Sequence, residues 1–362
     1  MHIKKYLNRY KNLWIIIGLI LVIKIFSSDS LLVESFYSTG FYLYFSGILR
    51  FLSGWIPFSI GDILYFIAGS WLLFKLIKNI RLLWKRKLSM KIILGKFYKL
   101  ILLFGCLYIV FNIFWGINYN RKGIAYQLKL SNLQYDSADL KMMQTILLQK
   151  VNTARMAVTR HYIYFPSKDE IIRKAVQSYD DAQKKYPFIR YKRSSVKASM
   201  YGLPGDYLGF TGYYNPFTGE AQINTTVPSF LQPYIATHEM AHQLGYAKEN
   251  EANFVGFLAA MSSPDTLFHY STYLDLYMYT NREVYYFDST CSKNSLKQLS
   301  PLVRKDLIRL REFDLRHRFF LEPFISWMYD NFLKLNNQPK GLHSYNAVIA
   351  MVIAYYKKYG TI

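Results

Sequence analysis

The pattern of apolar and polar positions divides the chain into two unlike parts. Before residue 118 the apolar positions form long runs without a polar face, at residues 13–26, about 60–77 and roughly 100–117. A helix needs about 20 apolar residues to cross a bilayer, and each run approaches that length. About three transmembrane helices are predicted. Residues 31–55 are aromatic but interrupted by Glu34, Gly40, Gly47 and Arg50. They read as an interfacial helix, with a fourth span as the alternative.

From Asn118 onward the pattern is that of a folded domain. Residues 133–186 read mostly as helix, with charges on the exposed face. A two-residue period appears at 196–201, 207–214 and 220–224, and Asn215, Pro216 and Gly219 mark a tight connection between the last two. A β-hairpin is predicted there. Helices follow near 249–261, 272–286 and 301–335, while 347–356 is too short to span a membrane and reads as a core helix. The predicted fold class is α+β: N-terminal transmembrane α-helices, then a mostly helical domain with a small β-sheet. The division is a membrane anchor over 1–118 and a second domain over 119–362.

Charge orients this arrangement. The net charge is +22, and residues 1–100 hold 15 Lys and Arg against 3 Asp and Glu. Nine of those cations, from Lys75 to Lys99, lie between the second and third runs, and such clusters stay on the cytoplasmic side. With three spans the basic N-terminus is also inside and everything after residue 117 is outside. The first run is an anchor and not a cleaved signal, because no small-residue cleavage site follows Phe26. No recognition helix, zinc-finger spacing or RNP-like segment accompanies the basic charge, so nucleic acid is not an expected partner. Cys106 and Cys291 supply neither a disulfide framework nor a thiolate metal site, which leaves His and carboxylate as ligands.

His238-Glu239-Met240-Ala241-His242 has that chemistry. Histidines four apart project from one helix face and reach one tetrahedral zinc ion, Zn2+. Glu239 can take a proton from water acidified by the metal. Ile235, Ala236, Ala241 and Leu244 make the helix apolar, where uncoordinated histidines and a glutamate are costly to bury. Gly245 has the place of a helix C-terminal glycine and permits the chain to reverse.

The third ligand is Glu249 or Glu251. Lys248 stands where a third histidine would be needed for the metzincin pattern. Glu249, Ala252, Asn253, Gly256 and Ala259 share a small-residue stripe facing the zinc helix, whereas Glu251 lies about 200° round, which favours Glu249. The Glu-x-x-Ala-Asn spacing also resembles the third-ligand segment of glutamate-type zincins, making Asn253 a support for a zinc-bound histidine. The hairpin at 213–224 offers either an edge for an extended peptide or ordinary packing. A donor for the developing oxyanion is sought in His343 and Tyr345, ahead of His269 and Tyr246.

The chain resembles an uncharacterised family of bacterial membrane-anchored zincin-like proteins, a domain of unknown function. The likeness is carried by Trp115-Gly116-Ile117-Asn118-Tyr119-Asn120-Arg121, the segment from Gly212 to Ala221, the segment from His238 to Gly245, that from Glu249 to Phe254, and that from Gly341 to Tyr345. The resemblance implies membrane helices followed by a zincin-like domain, without a substrate. The functional expectation is a multi-pass zinc metallopeptidase of a bacterial cytoplasmic membrane, hydrolysing peptide bonds on its outer side. Its expected partners are a protein or peptide substrate and the lipid bilayer. The alternatives are a non-catalytic sensor or scaffold with structural zinc, and a zinc amidohydrolase acting on cell-wall peptides.

Overall fold

The computed structural model describes residues 10–85, 89–130, 133–344 and 347–362. Its longer helices are numbered below. Among the described residues three helices are long and apolar enough to cross a membrane: α1 (Lys11–Ser28), α3 (Ile60–Trp84) and α4 (Met90–Phe114). Most of their apolar side chains are exposed, as lipid-facing residues are. The last two are longer than their apolar runs, because Lys and Arg favour helix and carry it into the basic stretch between them. At Trp115 the backbone leaves helical geometry, and Gly116–Asn120 forms a buried 3-10 turn.

The segment between α1 and α3 is an amphipathic helix turned inside out. It comprises a π-helical stretch, Val33–Phe41, continuing into α2 (Tyr42–Gly54). Its buried stripe includes Glu34, Ser38, Tyr42, Ser46, Arg50 and Ser53, while Phe36, Phe41, Leu43, Ile48, Phe51 and Leu52 are exposed. A polar face packed inward and an apolar face outward suit an interfacial helix and not a fourth span.

The following region is mostly helical, with a small three-stranded sheet. It contains α5 (Ser137–His161), α6 (Lys168–Lys185), β1 (Val196–Ala198), β2 (Gly212–Asn215), β3 (Glu220–Ile223), α7 (Gln232–Gln243), α8 (Glu249–Ser262), α9 (Thr266–Phe287), α10 (Pro301–Arg316), α11 (Glu322–Leu335) and α12 (Val348–Tyr359). Strand order is β1-β3-β2, with β1 parallel and β2 antiparallel to β3. The predicted hairpin is present, and its β2 strand forms one edge. α7 lies in the centre, against α8, α9, α6 and the sheet. α12 is buried, as a core helix should be.

Two predicted elements differ. The strand expected at 207–214 begins only at Gly212, because Gly202–Leu208 is a short helix ended by the left-handed Gly209. The single helix expected at 301–335 is two. Pro323 lacks a backbone N–H and is accommodated only in the first turn of a helix, so it starts α11 after a break at 317–321.

Candidate metal centre

α7 is short and apolar, and its two histidines project from one face as their spacing requires. His238, Glu239 and His242 are buried, with potential ligand atoms within 4.8 Å of one another. α8 returns after Gly245, whose φ of +82° is the left-handed geometry that glycine adopts without penalty. The reversal brings Glu249 Oε2 to 3.3 Å from His238 Nε2 and 3.5 Å from His242 Nε2. Close approach of the helices depends on Gly256, where a Cβ would lie 3.0 Å from the His238 backbone nitrogen.

The other ring nitrogens are occupied. His238 Nδ1 lies 2.7 Å from Asn253 Oδ1, and His242 Nδ1 lies 2.8 Å from the Tyr246 carbonyl. Oxygen acceptors at both Nδ1 atoms set the tautomer that presents each Nε2 lone pair to a common point. Glu239 Oε2 and Glu249 Oε2 accept no hydrogen bond from the described residues.

This donor set fits a tetrahedral cation. Zinc–nitrogen and zinc–oxygen distances near 2.0–2.1 Å place neighbouring ligand atoms about 3.3 Å apart, close to the two Glu249 separations. The electrostatics agree. Burial pushes the Glu239 carboxyl up to about 7, against the pull of His238 and His242. Burial also opposes charge on His238, but Glu249 and Glu239 outweigh it and raise the imidazole to about 9. Glu249 is buried as well, yet the two histidines hold its carboxyl far below the usual range. Such a cluster could hold a cation, whether a proton or a metal ion.

The remaining predicted residues fall elsewhere. Glu251 is buried on the other side of α8, 3.8 Å from Lys248, so it is not brought to the histidines. His343 is exposed on the Gly341–Ser344 turn, and Tyr345 lies outside the described residues. Tyr246 directs its hydroxyl to Gln127, and His269 bonds the Ser263 carbonyl. A phenol that does reach the centre is that of Tyr329 of α11, whose Oη donates to Glu249 Oε1 at 3.1 Å. In a chain with 33 tyrosines its sequence position carried no signal.

A second group of residues, whose role no local pattern predicts, closes the end of α7. The last carbonyls of a helix lack intrahelical partners and carry its negative dipole end. Here Trp115 Nε1 donates to His242 O at 3.2 Å, Arg50 Nη1 to Gln243 O at 2.7 Å and Arg121 Nη1 to Gly245 O at 3.1 Å. Arg121 is held in turn by Glu34, at 2.8 Å. The Gln243 side chain ties the same helix end to the sheet through Ser195 O and Gly219 O.

The centre opens into a cleft of about 610 Å³ lined by Gly212, Tyr213 and Tyr214 of β2, by Tyr329 of α11, and by Tyr65 and Phe111 of the spans. Gly212 lies against Glu239: a Cβ there would lie 2.6 Å from Glu239 Oε1, so a larger residue displaces the carboxylate.

Residues 37–353 match the family described as "Protein of unknown function (DUF3810)", and the chain belongs to it. No curated protein and no solved structure matches the chain.

Proposed function

We propose that this family member is a membrane-anchored zinc peptidase of the zincin type, acting on the outer side of a bacterial cytoplasmic membrane. The observation that carries the reading is the convergence of His238 Nε2, His242 Nε2 and Glu249 Oε2, with both Nδ1 atoms fixed by oxygen acceptors. His238, His242 and Glu249 would hold the ion. Bound zinc supplies a Lewis acid that polarises a carbonyl and acidifies water.

The chain's own groups complete the chemistry. Glu239, buried beside the two histidines, takes a proton from the attacking water and delivers it to the departing amine. Asn253 and the Tyr246 carbonyl keep the histidines oriented, and Tyr329 keeps Glu249 turned towards them. β2 is an edge strand lining the cleft beside Glu239, so an extended peptide can pair with it and bring a peptide bond to the centre. The basic stretch between α3 and α4 supports the outside placement of this cleft.

The test uses the full chain, because Glu34, Tyr42, Arg50 and Trp115 all contact the α7 end or its supports. Wild type and Glu239→Gln are purified, analysed for metal and assayed on peptide and protein libraries. The expected outcome is about one zinc per chain in both and hydrolysis about 10²–10⁴-fold lower in the variant. A chain that purifies without metal and takes up none on addition of zinc sinks the reading. Equal hydrolysis by the two proteins does so as well.

A further inference from the structure

α11 has two faces, and only one belongs to the cleft. Ile325, Ser326 and Tyr329 line it, and Leu333 is buried behind them. On the opposite side Phe324, Trp327, Met328 and Leu335 are 56%, 62%, 53% and 83% exposed, with Phe320 just before the helix at 81%. The spacing of three, four and seven residues puts Phe324, Trp327, Met328 and Leu335 on one largely apolar face, interrupted by Asn331. Soluble surfaces rarely carry such a patch without a partner.

The position of the stripe says what covers it. Phe332 of α11 packs edge-on against Phe111, ring centroids 6.5 Å apart, three residues before α4 ends. On the same last turn of α4, Phe114 packs against Phe45 of α2, centroids 4.7 Å apart. The inverted segment 33–54 and α11 therefore both meet the last turn of α4. Both carry exposed apolar side chains beside that turn.

We infer that α11 is a membrane-docking helix whose Phe324, Trp327, Met328 and Leu335 side chains sink into the leaflet in which α4 ends, so that the cleft is entered along the lipid surface. Aromatic and aliphatic side chains at this level gain from burial below the headgroups while the helix lies flat. Tyr329 follows on the other face, linking a lipid-bound helix to Glu249. The docking rests on the exposed face of α11 and its contact with α4, not on the peptidase reading. Only the consequence, that substrates are peptides lying at or tethered to the membrane surface, rests on the peptidase reading.

The experiment places an environment-sensitive NBD label at Met328→Cys in a full chain carrying Cys106→Ser and Cys291→Ser, reconstituted in phosphatidylcholine/phosphatidylglycerol vesicles. Lys184→Cys on α6, whose side chain is 74% exposed, is the aqueous reference. Nitroxide carried on the lipid acyl chains is expected to quench the label at 328 strongly and that at 184 hardly at all, with iodide in the buffer giving the reverse order. Iodide quenching at 328 equal to that at 184 overturns the inference. Protection of 328 from both quenchers also overturns it, since a second copy or another protein then covers the stripe. Zinc content measured on the same samples separates the two readings: lipid quenching without zinc keeps the docking and removes the peptidase.

Discussion

Trp115 and His242 are joined twice. The indole Nε1 donates to the His242 carbonyl at 3.2 Å, and the two rings meet edge to face with centroids 5.8 Å apart. Trp115 follows directly on Phe114, the last residue of α4. The last candidate span therefore ends against a candidate metal ligand, without an intervening linker.

That junction makes the helix end sensitive to distant residues. Arg50→Met removes the charged donor from Gln243 O and is expected to cost about 1.5–3 kcal/mol of stability. Thermal unfolding in detergent, followed by circular dichroism, checks it. A fragment beginning at residue 119 loses Tyr42, Arg50 and Trp115 together and is expected to unfold at lower temperature than the full chain.

The Glu34–Arg121 pair is nearly inaccessible, with side chains 8% and 2% exposed. Removing one partner of a buried pair strands the other charge at a cost of about 3–5 kcal/mol. Arg121→Met is therefore expected to be less stable than the double variant Glu34→Met with Arg121→Met. Denaturant melts of the three proteins decide this, and a double variant less stable than Arg121→Met contradicts it.

The same pair sets an acid limit. Burial pushes the Glu34 carboxyl up, but Arg121, the Gly123 amide and Gln127 outweigh it and hold it below its ordinary 4.5. With the folded value lower than the unfolded one, the stabilisation is complete above about pH 4.5 and is lost as pH falls towards the folded value. Unfolding free energy measured from pH 6 downwards is expected to fall in that window. Glu34→Gln should flatten this part of the curve.

Two further substitutions separate metal binding from chemistry. Gly212→Ala puts a methyl group against Glu239 and is expected to reduce hydrolysis by about 10²-fold while zinc is retained. Asn253→Ala removes the acceptor at His238 Nδ1 and should weaken zinc affinity by about 10–100-fold. Competition with a chromophoric chelator reads the second effect, and peptide cleavage reads the first.

The local patterns that could be read without a fold were those with a short period. The spans, the hairpin and the histidine pair depend on neighbours within about four residues, and so does the turn at Gly245. The break at 317–321 was also available in Pro323, but an uninterrupted amphipathic pattern on both sides concealed it. Glu249 stood out from Glu251 because the small-residue stripe on α8 marks the face that can approach α7.

What the sequence by itself determined is most of the elements and the candidate ligand types, because apolar periodicity and imidazole spacing act within one helix. The tertiary structure decided which groups serve them. Tyr329, Arg50, Arg121 and Trp115 each act across tens to hundreds of residues, where burial and the unpaired carbonyls of α7 select a partner and no periodicity records it. It also turned the polar stripe of residues 33–54 inward, since Glu34 and Arg50 find their partners on the protein while the phenylalanines are left exposed.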